Sequence, residues 1–504
     1  MAKPQKDQIT VFAALSRTGW LKPLLCCVVL AIYLALALPN INTQFFHVSE
    51  DTNGSNGTAA YNWYRFSPGA LKGGLVVNWL TEAELGSGAV TYYADHPVGF
   101  LLPTYILYKI FGVDEWTTRL GPLFLMTVAF GFLFFALARI FQNPATAFWS
   151  VLGIVLLPGA VYYGKHLDMS PPSLAWSLIT FSLFIFLYFK SNRLNTFLFL
   201  SAVVLGGFVA WHFYFMPFSL WLFLLLTKSG KEVAKRKLLL FLLPLIVFLT
   251  FVLNLLHIYV LAGQDGLRAL QGSFFNRTGG GVLLFNGSWY QTMISRFELN
   301  LTWWFLLLGL AGFLYFLMTE RSRPKRDLLM PLWLMPLAIL LVFQQWSTHP
   351  FGPIYFLPIV GIGVGFLWEF ILKRFRLYGV LIVALLIFGG VLFTRQRLNY
   401  FYNDFLILTQ QDIVLLEERV ALEIQDNQLC VGRNDLLYYE GIVSWYIRKK
   451  PLSSPGCLSQ ESVRTALLLR LSGDLYRKEI ERFLQAGFTV KQEDCPGMWC
   501  LATK

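Results

Sequence analysis

The stretch that decides the fold is residues 120–140, LGPLFLMTVAFGFLFFALARI, in which 20 of 21 residues are uncharged. Its only charged residue is Arg139, one position before the end. About 20 consecutive apolar residues are what a helix needs to cross the hydrocarbon core of a bilayer. The stretch therefore predicts a transmembrane helix with a basic residue at one end.

The rest of the first 394 residues repeats this pattern. Hydrophobic residues make up 56% of the 504-residue chain and charged residues only 14%, which excludes a disordered chain, a coiled coil and collagen. We predict a mostly α, polytopic membrane bundle of about eleven transmembrane helices. Besides 120–140, the expected spans are 20–38, 146–163, 172–189, two short helices within 196–226 that divide at 211–214, 238–261, 301–318, 328–343, 353–372 and 377–393.

The distribution of charge predicts which side of the membrane each connection occupies. The 14 basic and 14 acidic residues from 395 onward cancel, so the net charge of +12 lies entirely in the apolar part, where it indicates membrane orientation rather than nucleic-acid binding. The connections on the side of the N-terminus hold 19 basic residues, and the opposite, longer connections hold 8. The N-terminus is therefore expected in the cytoplasm, and eleven crossings place the C-terminus outside. A cleaved signal peptide over the first span is the alternative.

Two exoplasmic regions follow from this topology. Within the transmembrane domain, 1–394, the connection 39–119 forms a large first loop. Its segment 97–111 is too short to cross and is expected to lie along the interface. Residues 395–504 form a small α/β domain, with strands expected at 428–431 and 488–490 and helices at 459–471 and 473–486.

Four of the six cysteines lie in that C-terminal domain, which suits an oxidising compartment. Proximity favours a disulfide between Cys495 and Cys500 and another between Cys430 and Cys457, although four free thiols are the alternative. Their spacing does not resemble a zinc site. We predict no metal site, and a divalent ion is permitted but not required.

Polar residues collect at the expected outer ends of the spans, where charge beside apolar neighbours is costly unless it is used. A carboxylate there could serve as a general base for an acceptor hydroxyl, with a second acid orienting the acceptor. Cations could hold the phosphate of a lipid-linked donor. The candidate acids are Glu50, Asp51 and Asp168, and the candidate basic residues are His96, Lys165, Arg268, Arg277 and His349.

Each candidate also has a purely structural interpretation. Glu50 and Asp51 could be solvated loop carboxylates, and Asp168 could cap the helix that follows it. A His-Pro pair such as His96-Pro97 is often a turn, and Arg277 could anchor at lipid headgroups. Their joint placement at one side of the membrane favours function.

The first outer loop resembles the C-type glycosyltransferases, which include protein O-mannosyltransferases and the lipid A aminoarabinose transferase. The likeness rests on Glu50-Asp51 through Asn56-Gly57-Thr58-Ala59-Ala60-Tyr61, on Tyr93-Ala94-Asp95-His96-Pro97-Val98-Gly99-Phe100-Leu101-Leu102-Pro103, and on 111–120. It covers 48–139 well, and the later spans only in layout.

The resemblance implies an integral-membrane enzyme that uses a polyprenyl-phosphate-linked sugar on the exoplasmic side. The catalytic base maps onto Asp51, or onto Glu50, and the second acid onto Asp168. The basic turn near the lipid phosphate maps onto His96-Pro97, where Val98 replaces the family's second proline; Arg277 and His349 match less specific elements. We therefore expect an inverting transfer to a glycan, lipid or protein acceptor.

The expected location is the plasma (inner) membrane of a bacterium. The alternative function is a transporter or flippase for a lipid-linked sugar, which would carry its acids at mid-depth in the membrane. A structural or sensor protein with an external domain is the other alternative, although it would not need the elaborate first loop.

Overall fold

The computed structural model is built mainly of α-helices. It describes residues 20–45, 47, 49–234, 238–279, 287–404, 410–420, 428–431, 440–448, 450–453, 465–469, 474–490 and 499–503.

The helices before residue 300 include both long apolar elements and short connecting ones. In chain order they are α1 (Leu21–Ala37), α2 (Asp51–Phe66), α3 (Glu82–Ser87), α4 (Leu102–Phe111), α5 (Glu115–Phe141), α6 (Pro144–Val155), α7 (Pro158–Tyr163), α8 (Ser170–Phe189), α9 (Arg193–Gly207), α10 (Phe215–Leu226), α11 (Lys228–Ala234), α12 (Leu238–Arg277) and α13 (Gly287–Leu301).

The later helices complete the bundle and enter the C-terminal region. They are α14 (Trp303–Thr319), α15 (Arg323–Val342), α16 (Gln344–Ser347), α17 (Leu357–Asn399), α18 (Gln410–Val414), α19 (Glu440–Ile447) and α20 (Asp474–Gln485). Short 3-10 helices occupy Gly99–Leu101, Trp211–Tyr214 and Gly352–Phe356. The one at Trp211–Tyr214 lies at the predicted interruption between two short helices.

Four described helices are long and apolar enough to cross a membrane, namely α5, α8, α12 and the helical region around α17. A fifth candidate is the pair α13 and α14, which is bent by 87°. The apolar helices α1, α6, α9 and α10 are shorter, at 12 to 17 residues. The chain is a multi-pass membrane protein, and the count of eleven spans stays a prediction.

Two long helices contain sharp breaks where spans were predicted to end. In α12 the break is at Gly263, which has a φ of +59°, and the predicted span ended at 261. In α17 it is at Arg376, with a φ of +48°, between the predicted spans 353–372 and 377–393. A positive φ is accessible to glycine and strained for other residues. The helix axis therefore changes direction at each break.

Helix α4 has the features of an interfacial helix. It has 10 residues and is about 15 Å long, half the thickness of the hydrocarbon core. Its exposed apolar residues Leu102, Ile106 and Ile110 are spaced by four and therefore share one side of the helix.

The C-terminal region contains a five-stranded mixed sheet. Its strands are β1 (Gln428–Val431), β2 (Lys450–Ser453), β3 (Thr465–Leu469), β4 (Thr489–Val490) and β5 (Trp499–Thr503), in the spatial order β2-β1-β3-β5-β4. The first three strands are parallel, and β5 runs antiparallel to β3 and β4. The mixed α/β character agrees with the expectation for this region, whereas the boundary at 395 stays a prediction.

The helix predicted over 459–471 is wrong. Residues Thr465–Leu469 form β3 at the centre of the sheet, where they pair with both β1 and β5. A five-residue apolar run fits a buried strand as well as a helix turn, and pairing on both edges decides between them. The remaining predicted elements at 428–431, 473–486 and 488–490 correspond to β1, α20 and β4.

Only some of the predicted disulfide cysteines lie among the described residues. Cys500 in β5 is disulfide-bonded, while the predicted pairing with Cys495 and the pairing of Cys430 with Cys457 fall outside the described side chains. Cys26 and Cys27 in α1 are free thiols.

Helix α5 runs from one end of the bundle to the other. Arg119 lies in its first turns and contacts the first loop, whereas Arg139 lies in its last turn beside Lys22 and Lys190. Twenty residues of α-helix span about 30 Å, which matches the hydrocarbon core. The first loop, which carries Glu50 and Asp51, and the basic group of Lys22, Arg139 and Lys190 therefore lie at opposite ends of one helix that is long enough to span the membrane.

Close backbone contact joins α14 to α17. Gly309 and Gly312 of α14 face Gly363 of α17, and a Cβ atom added to Gly363 would overlap the carbonyl oxygen of Gly309. Small residues let helices approach this closely in a membrane, where packing replaces the hydrophobic effect as the source of association.

The first prediction compares two glycines of α17. Gly363→Ala should destabilise the protein by about 1–3 kcal/mol because its methyl group has no space between the helices. Gly389→Ala should be neutral or stabilising, since its added Cβ would lie 3.8 Å from Trp304, an ordinary contact, and alanine favours helix. Thermal unfolding of the two purified variants in detergent measures both effects, and equal Tm values would contradict this packing.

Candidate active site

The first outer loop turns sharply just before the two adjacent acids. Ser49 has a φ of +60°, which is unfavourable for a side-chain-bearing residue, and its carbonyl accepts a hydrogen bond from Thr52 Oγ1 at 2.7 Å. Glu50 precedes α2 and Asp51 is its first residue. The turn therefore holds the two carboxylates side by side at a helix N-terminus, where negative charge is favourable.

Glu50 is buried in an ion pair with Arg119 of α5. Arg119 donates from Nη2 at 2.6 Å and from Nε at 3.1 Å to Glu50 Oε1. The backbone N–H of His47 donates to Glu50 Oε2 at 3.1 Å. Burial would raise the pKa of Glu50, but the positive charge of Arg119, helped by His47 and His166, holds that pKa below its usual value. Glu50 is therefore charged and held in place by Arg119.

Arg119 also binds the backbone of the loop that precedes α2. Its Nη1 donates to the carbonyls of Ile41, at 2.8 Å, and Thr43, and its Nη2 donates to the carbonyl of Gln44 at 3.3 Å. The ring of Phe45 lies 4.7 Å from the guanidinium carbon. One fully buried guanidinium thus organises the whole turn that presents Asp51.

Two asparagines on one side of α2 bring Asp168 toward Asp51. Asn53 Oδ1 accepts from the backbone N–H of Leu167 at 2.6 Å, and Asn56 Nδ2 donates to the carbonyl of Leu167 at 2.7 Å. Because both bonds hold one residue, the segment between α7 and α8 is fixed against α2. The two acids predicted from distant parts of the chain consequently share one site.

Asp168 combines a capping contact with a place in the site. Its Oδ1 accepts from the N–H of Ser170 at 2.8 Å and from Ser170 Oγ at 2.6 Å, at the start of α8. Burial raises its pKa above the ordinary value. Burial likewise raises the pKa of Asp51 to about 7, with the negative charges of Asp168 and Glu50 adding to the effect. Asp51 can therefore exchange a proton near neutral pH.

A second polar group surrounds Arg277, the last residue of α12. Its Nη2 donates to Asp95 Oδ2 at 3.0 Å and lies 2.8 Å from His96 Nε2. Ser273 Oγ also donates to Asp95 Oδ2, at 2.7 Å, and the indole of Trp211 donates to the carbonyl of Asp95 at 2.7 Å. The end of α12 is therefore bound to the first loop.

Arg277 supplies the positive charge in this group. Burial lowers the pKa of His96 to about 4, with Arg277 adding to the effect and Asp95 opposing it. Desolvation of the ring, followed by the charges of Arg277 and Arg296, lowers the pKa of His349 to about 4 as well. Both histidines are neutral at pH 7 and could offer an anion hydrogen bonds but no charge. The charge of Arg277 also acts on Asp168, which links the two groups.

The remaining two predicted phosphate ligands lie elsewhere. Lys165 is buried and donates from Nζ to the carbonyls of Ala37 at 2.9 Å and Pro39 at 2.7 Å, at the C-terminus of α1. Arg268 is mostly exposed and pairs with Asp265 at 3.2 Å on the surface of α12. Lys165 therefore caps the C-terminus of α1, whereas the side chain of Arg268 is exposed at the surface of α12.

An apolar groove leads to Arg277. It has a volume of about 690 Å³ and lies between α12 and the 3-10 turn and helix α10. Its lining includes Trp211, Tyr214, Trp221, Val247, Phe248, Phe251, Leu270, Phe274, Phe343 and, at its polar end, Arg277. Such a groove suits a long apolar chain with an anionic end.

The C-terminal region packs on the helix that carries Asp51. The indole of Trp445 in α19 donates to Glu115 Oε1 at 3.1 Å, and Tyr446 accepts from the N–H of Phe45 at 2.5 Å. A Cβ added at Gly57 of α2 would lie 3.0 Å from the Trp445 ring. The domain thus supports α2 from the side.

Several residues that build the site have no individual prediction in the sequence analysis. They are Arg119, Asn53, Asn56, Ser273 and Arg296. The sequence did contain a signal for Arg119, because it is a charged residue at the start of an apolar helix. Burying such a charge without a partner is costly. Asn53 is a buried residue of α2 whose side chain is hydrogen-bonded to Leu167.

Within the part of the chain that the structure describes, no group of three or more His, Cys, Asp or Glu side chains is arranged to hold a metal ion.

The fold is similar to solved structures across nearly the whole chain. ArnT from Cupriavidus metallidurans bound to undecaprenyl phosphate has a TM-score of 0.64 at 13% identity, with 96% of this chain and 98% of that chain covered. An oligosaccharyltransferase of Archaeoglobus fulgidus in its apo form has a TM-score of 0.55 at 11% identity, with 88% of this chain and 69% of that chain covered.

A third similar structure is archaeal oligosaccharyltransferase AglB from Archaeoglobus fulgidus in complex with an inhibitory peptide and a dolichol-phosphate. Its TM-score is 0.54 at 12% identity, with 97% of this chain and 74% of that chain covered. No family model and no curated protein sequence matches the chain. The likeness to these structures is therefore one of fold.

The second prediction tests the buried ion pair. Arg119→Met should lower the free energy of unfolding by about 3–5 kcal/mol because Glu50 would remain buried without its partner. Adding Glu50→Gln should recover part of that loss, since an amide carries no charge to compensate. Arg268→Met, which breaks an exposed pair, should change stability by about 1 kcal/mol or less. Unfolding curves in detergent compare the three, and equal losses for Arg119→Met and Arg268→Met would refute the role given to Arg119.

Proposed function

We propose that this protein is a membrane glycosyltransferase that moves a sugar from a polyprenyl-phosphate donor to an acceptor hydroxyl or phosphate. The fold supports this proposal, since the similar structures include one bound to undecaprenyl phosphate and another in complex with a dolichol-phosphate. The acceptor is a glycan, a lipid or a protein.

The observation that carries the proposal is the apolar groove that ends at Arg277. A polyprenyl chain would occupy the groove between α10 and α12, which places its phosphate beside the guanidinium. Arginine binds phosphate through two parallel hydrogen bonds and keeps its charge at all relevant pH values. The neutral rings of His96 and His349 would add hydrogen bonds to the same phosphate.

The chemistry then follows from the position of the acids. Asp51 removes the proton of the acceptor, the acceptor oxygen attacks the anomeric carbon, and the bond from that carbon to the phosphate oxygen breaks. The departing phosphate gains negative charge, which Arg277 stabilises. Asp168 orients the acceptor next to Asp51. A single displacement of this kind inverts the anomeric configuration.

The proposal includes the topology predicted from sequence. The N-terminus lies in the cytoplasm, and the active site, the loop 39–119 and the domain 395–504 lie on the exoplasmic side of the plasma membrane. In support, the acids collect at one end of α5, and the basic group of Lys22, Arg139 and Lys190 lies at the other. A transporter would need its acids at mid-depth, so the location of Asp51 and Asp168 favours the enzyme.

The third prediction concerns pH. Because the pKa of Asp51 is raised to about 7 and a general base works only when deprotonated, kcat/KM should fall about tenfold for each pH unit below 7 and level off above it. Asp51→Asn should abolish transfer across the pH range, whereas Asp265→Asn on the surface of α12 should keep the wild-type profile. A profile with no change between pH 5 and 8 would argue against Asp51 as the base.

The fourth prediction uses two arginines of the same helix. Arg277→Gln should lower kcat/KM by roughly 10²- to 10³-fold, since one stabilising donor at a departing anion is worth that much. Arg268→Gln should remain within about twofold of the wild type because its side chain is exposed and paired with Asp265. The assay incubates purified protein with defined polyprenyl-phosphate-linked sugars and follows their consumption, with Tm as a check of folding. Failure to consume any of them would overturn the proposed function.

A further inference from the structure

A second polar cavity lies at the other end of the bundle, about 30 Å along α5 from Arg119. It has a volume of about 230 Å³ and is bordered by the ends of α1, α5, α8 and α9. Lys22, Arg139 and Lys190 line it, together with Asn195 and the rings of Phe135 and Phe186. The cavity is separate from the proposed donor site, which contains Arg277.

The three cations of this cavity have no compensating acid in the part of the chain that the structure describes. None of them forms an ion pair with a described residue. A neighbouring cavity between α14 and α17 is different, because Lys325 pairs there with Glu320 at 3.3 Å and Lys373 pairs with Glu369. Three cations around one space, without an acidic partner among the described residues, favour an anion in it.

The cavity is also polar at its mouth and apolar further in. Phe135 lies four residues before Arg139 on α5, and Phe186 of α8 lies four residues before Lys190, which follows that helix, so Arg139 and Lys190 each have an aromatic ring about one turn deeper in the bundle. Phe135 is 40% exposed and therefore has surface to offer a ligand. Charge at the mouth and rings beneath it match a molecule with an anionic head and an apolar tail.

We propose that this cavity binds the phosphodiester headgroup of an anionic phospholipid, with an acyl chain along Phe135 and Phe186. Basic pockets between transmembrane helices are suited to such headgroups. The site joins four helix ends that share no other ionic contact among the described residues, so the bound lipid stabilises the bundle at the end opposite the active site.

A simpler account must be separated from this one. Arg139 lies in the last turn of α5 and Lys190 follows the last residue of α8, where cations interact favourably with helix dipoles without any ligand. That account predicts a stability that does not depend on added lipid. The lipid site predicts a Tm that rises with lipid concentration.

The test uses the full chain purified in a neutral detergent. Phosphatidylglycerol should raise Tm by several degrees, while phosphatidylcholine and inorganic phosphate should not. The triple variant Lys22→Gln, Arg139→Gln and Lys190→Gln should lose most of this shift. A charge-matched triple variant, Arg321→Gln, Arg323→Gln and Arg326→Gln, should keep it.

Three results would overturn the assignment. A full shift in the first triple variant would show that the lipid binds elsewhere. Equal loss in both triple variants would show a general attraction of basic loops for anionic lipid. A shift of the same size with inorganic phosphate would assign the cavity to a free phosphate ion. Retention of phosphatidylglycerol, measured by native mass spectrometry on the wild type and on both variants, separates binding from any loss of folding.

Discussion

The interaction on which the site depends is that of one buried guanidinium with the turn before α2. Arg119 is fully buried, and its N–H groups donate hydrogen bonds to Glu50 and to backbone carbonyls of the segment 41–44. A buried charge without partners costs several kcal/mol, so the loop must close around Arg119 in one geometry. That geometry includes the strained φ of Ser49 and hence the direction in which Asp51 points.

The adjacent acids then differ because their surroundings differ. Glu50 has a guanidinium at 2.6 Å and stays charged, whereas burial, followed by the negative charges of Asp168 and Glu50, raises the pKa of Asp51. Burial is the main cause of the raised pKa of Asp51, and the charge that Arg119 maintains on Glu50 adds a smaller repulsion. Two environments thus shift the pKa values of adjacent carboxyl groups in opposite directions.

Part of this arrangement could be predicted from the chain alone. Hydropathy and the distribution of basic residues predicted that Asp51, Asp168 and Arg277 lie at one end of the bundle. These signals depend only on composition along the sequence. Lys165 and Arg268 satisfied the same criterion and yet lie apart from Arg277. Whether a cation faces a neighbouring carbonyl or an open site depends on side-chain direction, and that is set by contacts between distant segments. The strand at 465–469 was missed for a similar reason, since its pairing partners decide its structure.

The position of Arg277 follows from a single glycine. A straight helix of 40 residues would extend about 60 Å, twice the thickness of the hydrocarbon core, and would carry its last residue far from the first loop. The break at Gly263 allows the final turns to leave that axis, so that Leu270 and Phe274 line the groove and Arg277 reaches Asp95. Because glycine adopts a positive φ without steric cost, the chain changes direction there rather than at a neighbouring residue. The groove and the charge at its end are therefore two consequences of one bend.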